Sequence, residues 1–133
     1  MASLSGLAVL VVEDQADSRE LLEMFLQGQG ADVRVAGSAA EARTVLSSFR
    51  ADVVLTDVTL PGEDGFAFVQ SLRSDPATKH IAAIAVTGHS GDDSRKRALD
   101  AGFQTFLAKP FDVFSLPALL TSAVAAMQTR AGP

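Results

Sequence analysis

The sequence predicts an α/β fold in which a parallel β-sheet carries helices on both faces. Short apolar runs rich in β-branched residues alternate five times with segments of helical spacing. The runs are mostly continuous rather than alternating with polar residues, as is typical of strands buried on both faces. The connections are short, so we expect right-handed crossovers between successive strands. At 133 residues the chain suits one domain with its own core.

The predicted strands span residues 7–12, 32–36, 52–56, 81–86 and 105–108, with the sequences LAVLVV, DVRVA, DVVLT, IAAIAV and TFLA. Their alternation with helices favours a small doubly wound sheet with the flavodoxin-like strand order 2-1-3-4-5. We therefore expect a single domain over residues 1–133, with a core from about 7 to 129 and short frayed termini.

The first three helices are predicted over residues 17–27, 38–49 and 65–73. Gly28 and Gly30 suit the C-terminus of the first helix. Ser38 and Glu41 have the spacing of a capping box, which predicts the start of the second helix. The apolar face predicted for the first helix comprises Leu21, Leu22, Phe25 and Leu26.

The fourth and fifth helices carry weaker signals. The fourth, residues 92–101, is poor in apolar residues. The charged residues that we expect to form its solvated face are Arg95, Lys96, Arg97 and Asp100. Pro117 fixes the start of the fifth helix, because proline is tolerated near a helix start but not in its interior. We therefore favour a start near Ser115 over one in which Asp112 is the N-cap.

Composition and charge exclude several function classes. The formal charge of −5 is the wrong sign for a chain that binds nucleic acid through its bulk field, so no direct nucleic-acid contact is expected. The absence of cysteine excludes disulfides, thiolate zinc sites and thiol catalysis, and it favours a cytoplasmic setting. There is no run of eighteen apolar residues, so no membrane contact is expected from this domain.

Polar side chains follow four of the five predicted strands, at the edge where an open parallel sheet binds ligands. These residues are Glu13 and Asp14 after the first strand, Asp57 after the third, Thr87 after the fourth and Lys109 after the fifth. Taken alone, an aspartate such as Asp57 after a strand is more often a turn former than part of a site. Their convergence on one crevice favours a functional site.

The combination of groups predicts metal-assisted phosphoryl transfer. Three neighbouring carboxylates repel one another unless a cation neutralises them, and oxygen ligands suit Mg²⁺ or Mn²⁺. Asp57 is then the candidate nucleophile, which would form an aspartyl phosphate. We expect Lys109 and Thr87 to contact phosphoryl oxygens and the backbone carbonyl of Thr59 to complete the metal ligands.

The sequence resembles the receiver domain of two-component response regulators over essentially the whole chain. The resemblance is carried by the segments VLVVEDQADSRELL, VLTDVTLPGEDG, IAVTG and GFQTFLAKPF, in this order. It implies that Asp57 is the phosphoacceptor, that Thr87 and Lys109 contact the phosphoryl group, and that Mg²⁺ is bound at the acidic residues. The implied metal ligands are Glu13, Asp14, Asp57 and the Thr59 carbonyl.

The same resemblance implies a conformational switch and a set of partners. Thr87 and Phe106 occupy the switch positions, although Phe106 is equally consistent with a plain core residue. The phosphodonor is a histidine kinase or a histidine phosphotransfer protein. The family's usual signalling surface is the fourth helix, fifth strand and fifth helix, so residues 95–101 and 115–127 are candidate partner faces and a possible homodimer interface. Thr59 and His89 flank the path of an attacking water, so we predict that both tune the lifetime of the phosphoryl group.

Two interpretations stay open at this point. In the first, the domain catalyses its own phosphorylation and slow dephosphorylation, either as a stand-alone regulator or, as we favour, as a domain of a hybrid histidine kinase. In the second, it is a protein-interaction module of the same fold without a phosphate cycle. The chain has no G-x-x-x-x-G-K-[ST] loop, so any phosphoryl group must come from a donor other than bound ATP.

Overall fold

The computed structural model describes residues 4–88 and 92–131, which form a five-stranded parallel sheet in the order β2-β1-β3-β4-β5. The strands are β1 (Ala8–Val12), β2 (Asp32–Ala36), β3 (Val53–Asp57), β4 (Ala82–Thr87) and β5 (Thr105–Ala108). The helices are α1 (Ala16–Gly28), α2 (Ala39–Leu46), α3 (Gly65–Ser74), α4 (Asp92–Ala101) and α5 (Leu116–Ala131). The predicted fold class and strand order are confirmed.

The sheet is covered on both faces, as the continuous apolar strands predict. One face packs against α2, α3 and α4, with Phe68 and Phe103 as its largest fully buried side chains. The other face packs against α1 and α5, where Leu26, Leu116 and Leu120 are fully buried. Successive apolar residues of β1, β3 and β4 alternate between these two cores, because side chains along a strand point to opposite faces.

The ends of α1 and α2 show where local chemistry decides a boundary. Beyond α1, Gly30 has a φ of +96°, and its N–H donates a hydrogen bond to the carbonyl of Gln27, as in a Schellman motif. Ser38 caps α2 by accepting from the N–H of Glu41, as predicted, but the Glu41 carboxylate accepts from the N–H of Gly37 rather than from that of Ser38.

Two predicted helix features are wrong. The second helix was expected to reach Phe49 but ends at Leu46, because the Ser47 hydroxyl donates to the carbonyl of Thr44 and competes with continued helix. On α1, Leu22 is buried as expected but Leu21 is 58% exposed, since it lies at the edge of the apolar stripe beyond the reach of the sheet.

The start of the fifth helix agrees with the prediction from Pro117. The α-helix begins at Leu116, so Pro117 is its second residue and no interior hydrogen bond is lost. Asp112, the alternative cap, instead accepts from the N–H of Phe114 and caps a 3-10 turn over Val113–Ser115 that leads into α5.

Candidate functional site

The sheet register brings the predicted site residues to one edge. Val12 pairs with Thr56, so Glu13 and Asp57 follow neighbouring positions on β1 and β3. Thr87 pairs with Ala108, which sets Lys109 immediately beyond the end of β5. The carbonyl of Thr87 accepts from the N–H of Lys109 at 2.8 Å. The carboxyl ends of four strands therefore converge on one crevice.

Three carboxylates lie close together in this crevice. Glu13, Asp14 and Asp57 each offer an oxygen within 4.8 Å of those of the other two. Glu13 and Asp57 are buried, at 3% and 7% exposure, whereas Asp14 is exposed. Burying two carboxylates side by side is unfavourable unless a cation accompanies them.

Lys109 supplies one such cation. Its Nζ lies 2.6 Å from Asp57 Oδ2 and 3.1 Å from Glu13 Oε1. Desolvation lowers the pKa of Lys109, but hydrogen bonds to Asp57 and Glu13 more than offset this effect, so the pKa is raised above its ordinary value. Lys109 is therefore charged at neutral pH, with a cationic head placed directly beside the candidate nucleophile.

Asp57 also forms the turn that its sequence position suggested. Its Oδ1 accepts from the N–H of Thr59 at 2.9 Å. One carboxylate oxygen thus shapes the following loop while the other meets Lys109. Asp57 is therefore a turn former through Oδ1, while its Oδ2 is the oxygen that faces Lys109 in the candidate site.

Glu13 is held from several directions. Its Oε2 accepts from the N–H of Gln15 at 3.0 Å, and its own N–H donates to the carbonyl of Ala36. Arg19 Nη1 donates to the Glu13 carbonyl at 3.0 Å. Sequence reasoning missed Arg19, and its only signal was a cation on the first turn of the helix that follows an acidic pair.

The remaining predicted residues are placed less directly. Thr87 is buried, with 4% exposure, at the end of β4. Phe106 is half-buried and packs against the core of the α2, α3 and α4 face. The Thr59 side chain is exposed, and His89 lies outside the described residues. The roles assigned to all of these side chains stay predictions.

The donor set fits a divalent cation of the magnesium type. Mg²⁺ prefers oxygen ligands and usually keeps several waters with one or two carboxylates, and the cluster offers two buried carboxylates and one exposed one. Lys109 forms ion pairs with Glu13 and Asp57, and its single positive charge cannot neutralise all three carboxylates. A divalent ion would supply the missing positive charge.

An apolar cavity of about 390 Å³ opens beside the same crevice, between α1 and the segment that links β5 to α5. Asp57 and Lys109 line one part of it, and Leu21 and Phe111 line another. Within the described residues, three of the four large apolar side chains that are exposed lie on this side of the molecule, namely Leu21, Met24 and Phe114. We call these three residues the α1 patch.

Among the residues that the structure describes, no helix is both long and apolar enough to cross a membrane.

Comparison with known proteins adds a family assignment. The model of the response regulator receiver domain matches residues 9–121. An uncharacterized 14.6 kDa protein of Leptolyngbya boryana is 36% identical over 116 residues, which cover 87% of this chain and 88% of that protein. The response regulator PleD of Caulobacter vibrioides is 35% identical over 104 residues, covering 78% of this chain but only 23% of PleD.

A solved structure gives the same picture. The signal receiver domain of a signal transduction histidine kinase from Syntrophus aciditrophicus superposes with a TM-score of 0.80 at 28% identity, and the match covers 90% of each chain. The matched relatives thus include a protein of nearly the same length and one more than three times as long.

Proposed function

The chain belongs to the family of response regulator receiver domains, and we propose that it accepts a phosphoryl group on Asp57 from a phosphohistidine. The observation that carries this proposal is the 2.6 Å contact between Lys109 Nζ and Asp57 Oδ2 inside a cluster of three carboxylates. Receiver domains interact with histidine kinases or phosphotransfer proteins, so the donor belongs to one of these classes.

The proposed step is an in-line displacement at phosphorus. A carboxylate oxygen of Asp57 attacks the phosphoryl group of the phosphohistidine, the P–O bond forms, and the P–N bond breaks. The electron pair of the P–N bond leaves with the imidazole. Hydrolysis reverses the modification, because water attacks the aspartyl phosphate and releases inorganic phosphate and the free carboxylate.

The surrounding side chains supply charge at fixed positions. Lys109 already touches Asp57 and would turn its ammonium toward a phosphoryl oxygen, while the Thr87 hydroxyl would hydrogen-bond another. Glu13, Asp14, Asp57 and the Thr59 carbonyl would hold Mg²⁺ or Mn²⁺. When bound, the metal would neutralise charge on the phosphoryl oxygens.

Mixing the protein with Mg²⁺ and acetyl phosphate tests the proposed function. We expect the mass to rise by one phosphoryl group, and the adduct to survive acid and decay in base, because an acyl phosphate is a mixed anhydride. Asp57→Asn should give no adduct, since an amide is not a nucleophile under these conditions. Intact-mass spectrometry measures both.

The alternative function, a protein-interaction module without a phosphate cycle, makes the opposite prediction. If this alternative is correct, neither acetyl phosphate nor a histidine kinase should form an adduct on the wild-type protein. An adduct that forms equally on Asp57→Asn would contradict the assignment of the nucleophile but not that of the family.

We further propose that the phosphodonor docks on the α1 patch. Leu21 of the patch lines the cavity that Asp57 and Lys109 also line, so a helix seated on the patch would bring its histidine toward the nucleophile. Phe114 stacks edge-on against Phe25 of α1, with ring centroids 5.5 Å apart, which joins the two sides of the patch.

The charges around the patch favour a basic partner. Exposed carboxylates of Asp14, Asp17, Glu20 and Asp112 lie on the segments that carry the patch or border it. An amphipathic helix with an apolar stripe and flanking lysines or arginines would match both features.

Changing Met24 and Phe114 together to serine tests the docking surface. Transfer from a purified histidine kinase that phosphorylates the wild-type protein should slow by about tenfold or more, because exposed apolar anchors carry much of the binding energy. Phosphorylation by acetyl phosphate should stay unchanged, since that donor needs no docking surface. The rate of phosphoaspartate formation measures both.

Leu99→Ser is the matched control, because Leu99 is the fourth exposed large apolar side chain among the described residues and lies on α4. If Leu99→Ser slowed the transfer and the Met24 and Phe114 variant did not, docking would involve the α4, β5 and α5 face instead. We keep that face as the proposed signalling and homodimer surface, with Thr87 and Phe106 as the switch.

The setting of the domain completes the proposal. We infer a cytoplasmic domain of a hybrid histidine kinase, supported by the likeness to the receiver domain of a histidine kinase from Syntrophus aciditrophicus and by the lack of cysteine. Direct nucleic-acid contact is not part of the proposal, given the charge of −5.

A further inference from the structure

The loop that links β3 to α3, residues 58–64, borders the acidic cluster and is closed at its base by backbone hydrogen bonds. The N–H of Val58 donates to Val86, and the N–H of Gly65 donates back to the carbonyl of Val58, both at 2.9 Å. The N–H of Thr59 donates to Asp57 Oδ1. These hydrogen bonds fix the two ends of the loop, but they do not fix the conformation of the segment between them.

Arg43 of α2 provides a contact to the far side of this loop. Its two terminal nitrogens each lie 2.5 Å from a different carboxylate oxygen of Glu63, which is a bidentate ion pair. The same guanidinium donates to the hydroxyl of Ser71 at 2.8 Å and lies over the ring of Phe68, 5.4 Å from its centroid. One side chain thus joins α2, the loop and α3.

This ion pair differs from an ordinary surface pair in geometry and in packing. Paired planar groups with two parallel hydrogen bonds are more specific and stronger than single contacts. The guanidinium also packs against the face of the Phe68 ring, which is fully buried and therefore fixed in position. The hydrogen bond to Arg43 lowers the pKa of Glu63, which keeps this carboxylate charged at neutral pH.

The rest of the loop offers little else to hold its shape. Between Thr59 and Asp64 the buried side chain is Leu60, and Gly62 adopts a φ of +77°. Asp64 is engaged elsewhere, because its carboxylate caps α3 by accepting from the N–H of Ala67. Glu63 is therefore the polar side chain through which the loop is tied to α2.

We propose that Arg43 and Glu63 brace the β3–α3 loop in the shape that binds the divalent cation, which makes both of them positioning residues for the acidic cluster. This inference rests on the proposed function only in that the site is taken to bind a metal. Neither residue reaches the cluster itself, so both act through the loop that carries Thr59.

Glu63→Gln and Arg43→Gln test the brace. We expect each variant to bind Mg²⁺ about threefold to tenfold more weakly, at or below the lower limit for residues that contact metal ligands directly, because both residues act through the loop. In the metal-free protein, the amide protons of Thr59 and Gly65 should exchange faster with solvent, while amides in the strands keep their protection. Isothermal titration with Mg²⁺ and hydrogen exchange by NMR measure these effects.

Arg34→Gln is the matched control. Arg34 forms an ion pair with Asp32 at 2.6 Å on β2, at the margin of the sheet and away from the loop. Losing this exposed pair should leave Mg²⁺ affinity and loop exchange at wild-type values. The double variant Arg43→Glu with Glu63→Arg restores the charge pair and should recover much of the lost affinity, although the contact with Ser71 is not rebuilt.

The outcomes separate this inference from the proposed function. If Glu63→Gln and Arg43→Gln match the wild-type protein in Mg²⁺ affinity and in loop exchange, the brace is disproved, whether or not Asp57 accepts a phosphoryl group. If the wild-type protein binds Mg²⁺ and both variants bind it more weakly, but no aspartyl phosphate forms, the brace stands and the proposed function fails. Equal weakening in Arg34→Gln would also disprove the brace.

Discussion

Lys109→Gln is expected to slow phosphorylation by acetyl phosphate by about a hundredfold to a thousandfold, the usual cost of removing one preorganised donor from a site of charge development. The ammonium sits 2.6 Å from Asp57 Oδ2, and glutamine keeps much of the chain length but no charge. The rate of adduct formation at saturating Mg²⁺ measures the effect.

The same variant makes a second, opposite prediction for the metal. In the structure the ammonium is bonded to Asp57 and Glu13, two of the three carboxylates that would bind Mg²⁺. Removing it frees both oxygens, so Mg²⁺ should bind as tightly as before or more tightly. Lys79→Gln, at an exposed lysine before β4, should change neither quantity. A Lys109→Gln protein that reacts at the wild-type rate would disprove the assigned role.

The edge at which these residues meet could be predicted from sequence for a specific physical reason. Parallel strands align their carboxyl ends, so polar residues that follow consecutive apolar runs must share one side of the sheet. Asp57 and Lys109 are 52 positions apart, yet each directly ends or follows a strand. Periodicity alone therefore placed both groups in the same crevice.

The features that could not be predicted depend on contacts between segments that lie far apart in the sequence. No local pattern determines how such segments are positioned relative to one another. Arg43 and Glu63 belong to a helix and a loop 20 positions apart, and neither ends a strand. Leu21 shares the apolar spacing of α1 with Leu22, but a 3.6-residue period cannot distinguish the buried centre of a stripe from its exposed edge. The brace and the α1 patch required the three-dimensional arrangement.

The close packing around Gly65 also could not be predicted from the sequence. Replacing this glycine is the change with the largest expected effect on stability. Sequence spacing indicated that α3 begins near this residue, but not why glycine stands there. A Cβ added at Gly65 would lie 2.5 Å from the carbonyl oxygen of Asp57 and 2.7 Å from the Cα of Val58. Both are backbone atoms of the segment that carries the candidate nucleophile, so they cannot move aside as a flexible side chain would.

Gly65→Ala is therefore expected to lower the free energy of unfolding by about 2–3 kcal/mol, as overpacking in a rigid interior does. It should also weaken Mg²⁺ binding, because relieving the clash displaces Asp57 or the loop after it. Urea unfolding at an unchanged m-value measures the first effect, and titration with Mg²⁺ measures the second.

Gly28→Ala is the control that isolates the close approach from the general effect of replacing glycine. Gly28 lies in α1, and a Cβ added there meets no atom within 4 Å. Alanine favours helix over glycine by about 1 kcal/mol, so this variant should be unchanged or slightly more stable. If Gly65→Ala unfolded at the same urea concentration as Gly28→Ala, the close packing of α3 against the Asp57 backbone would not limit the site. The loop would then have enough freedom to absorb a methyl group even with the Arg43–Glu63 ion pair in place.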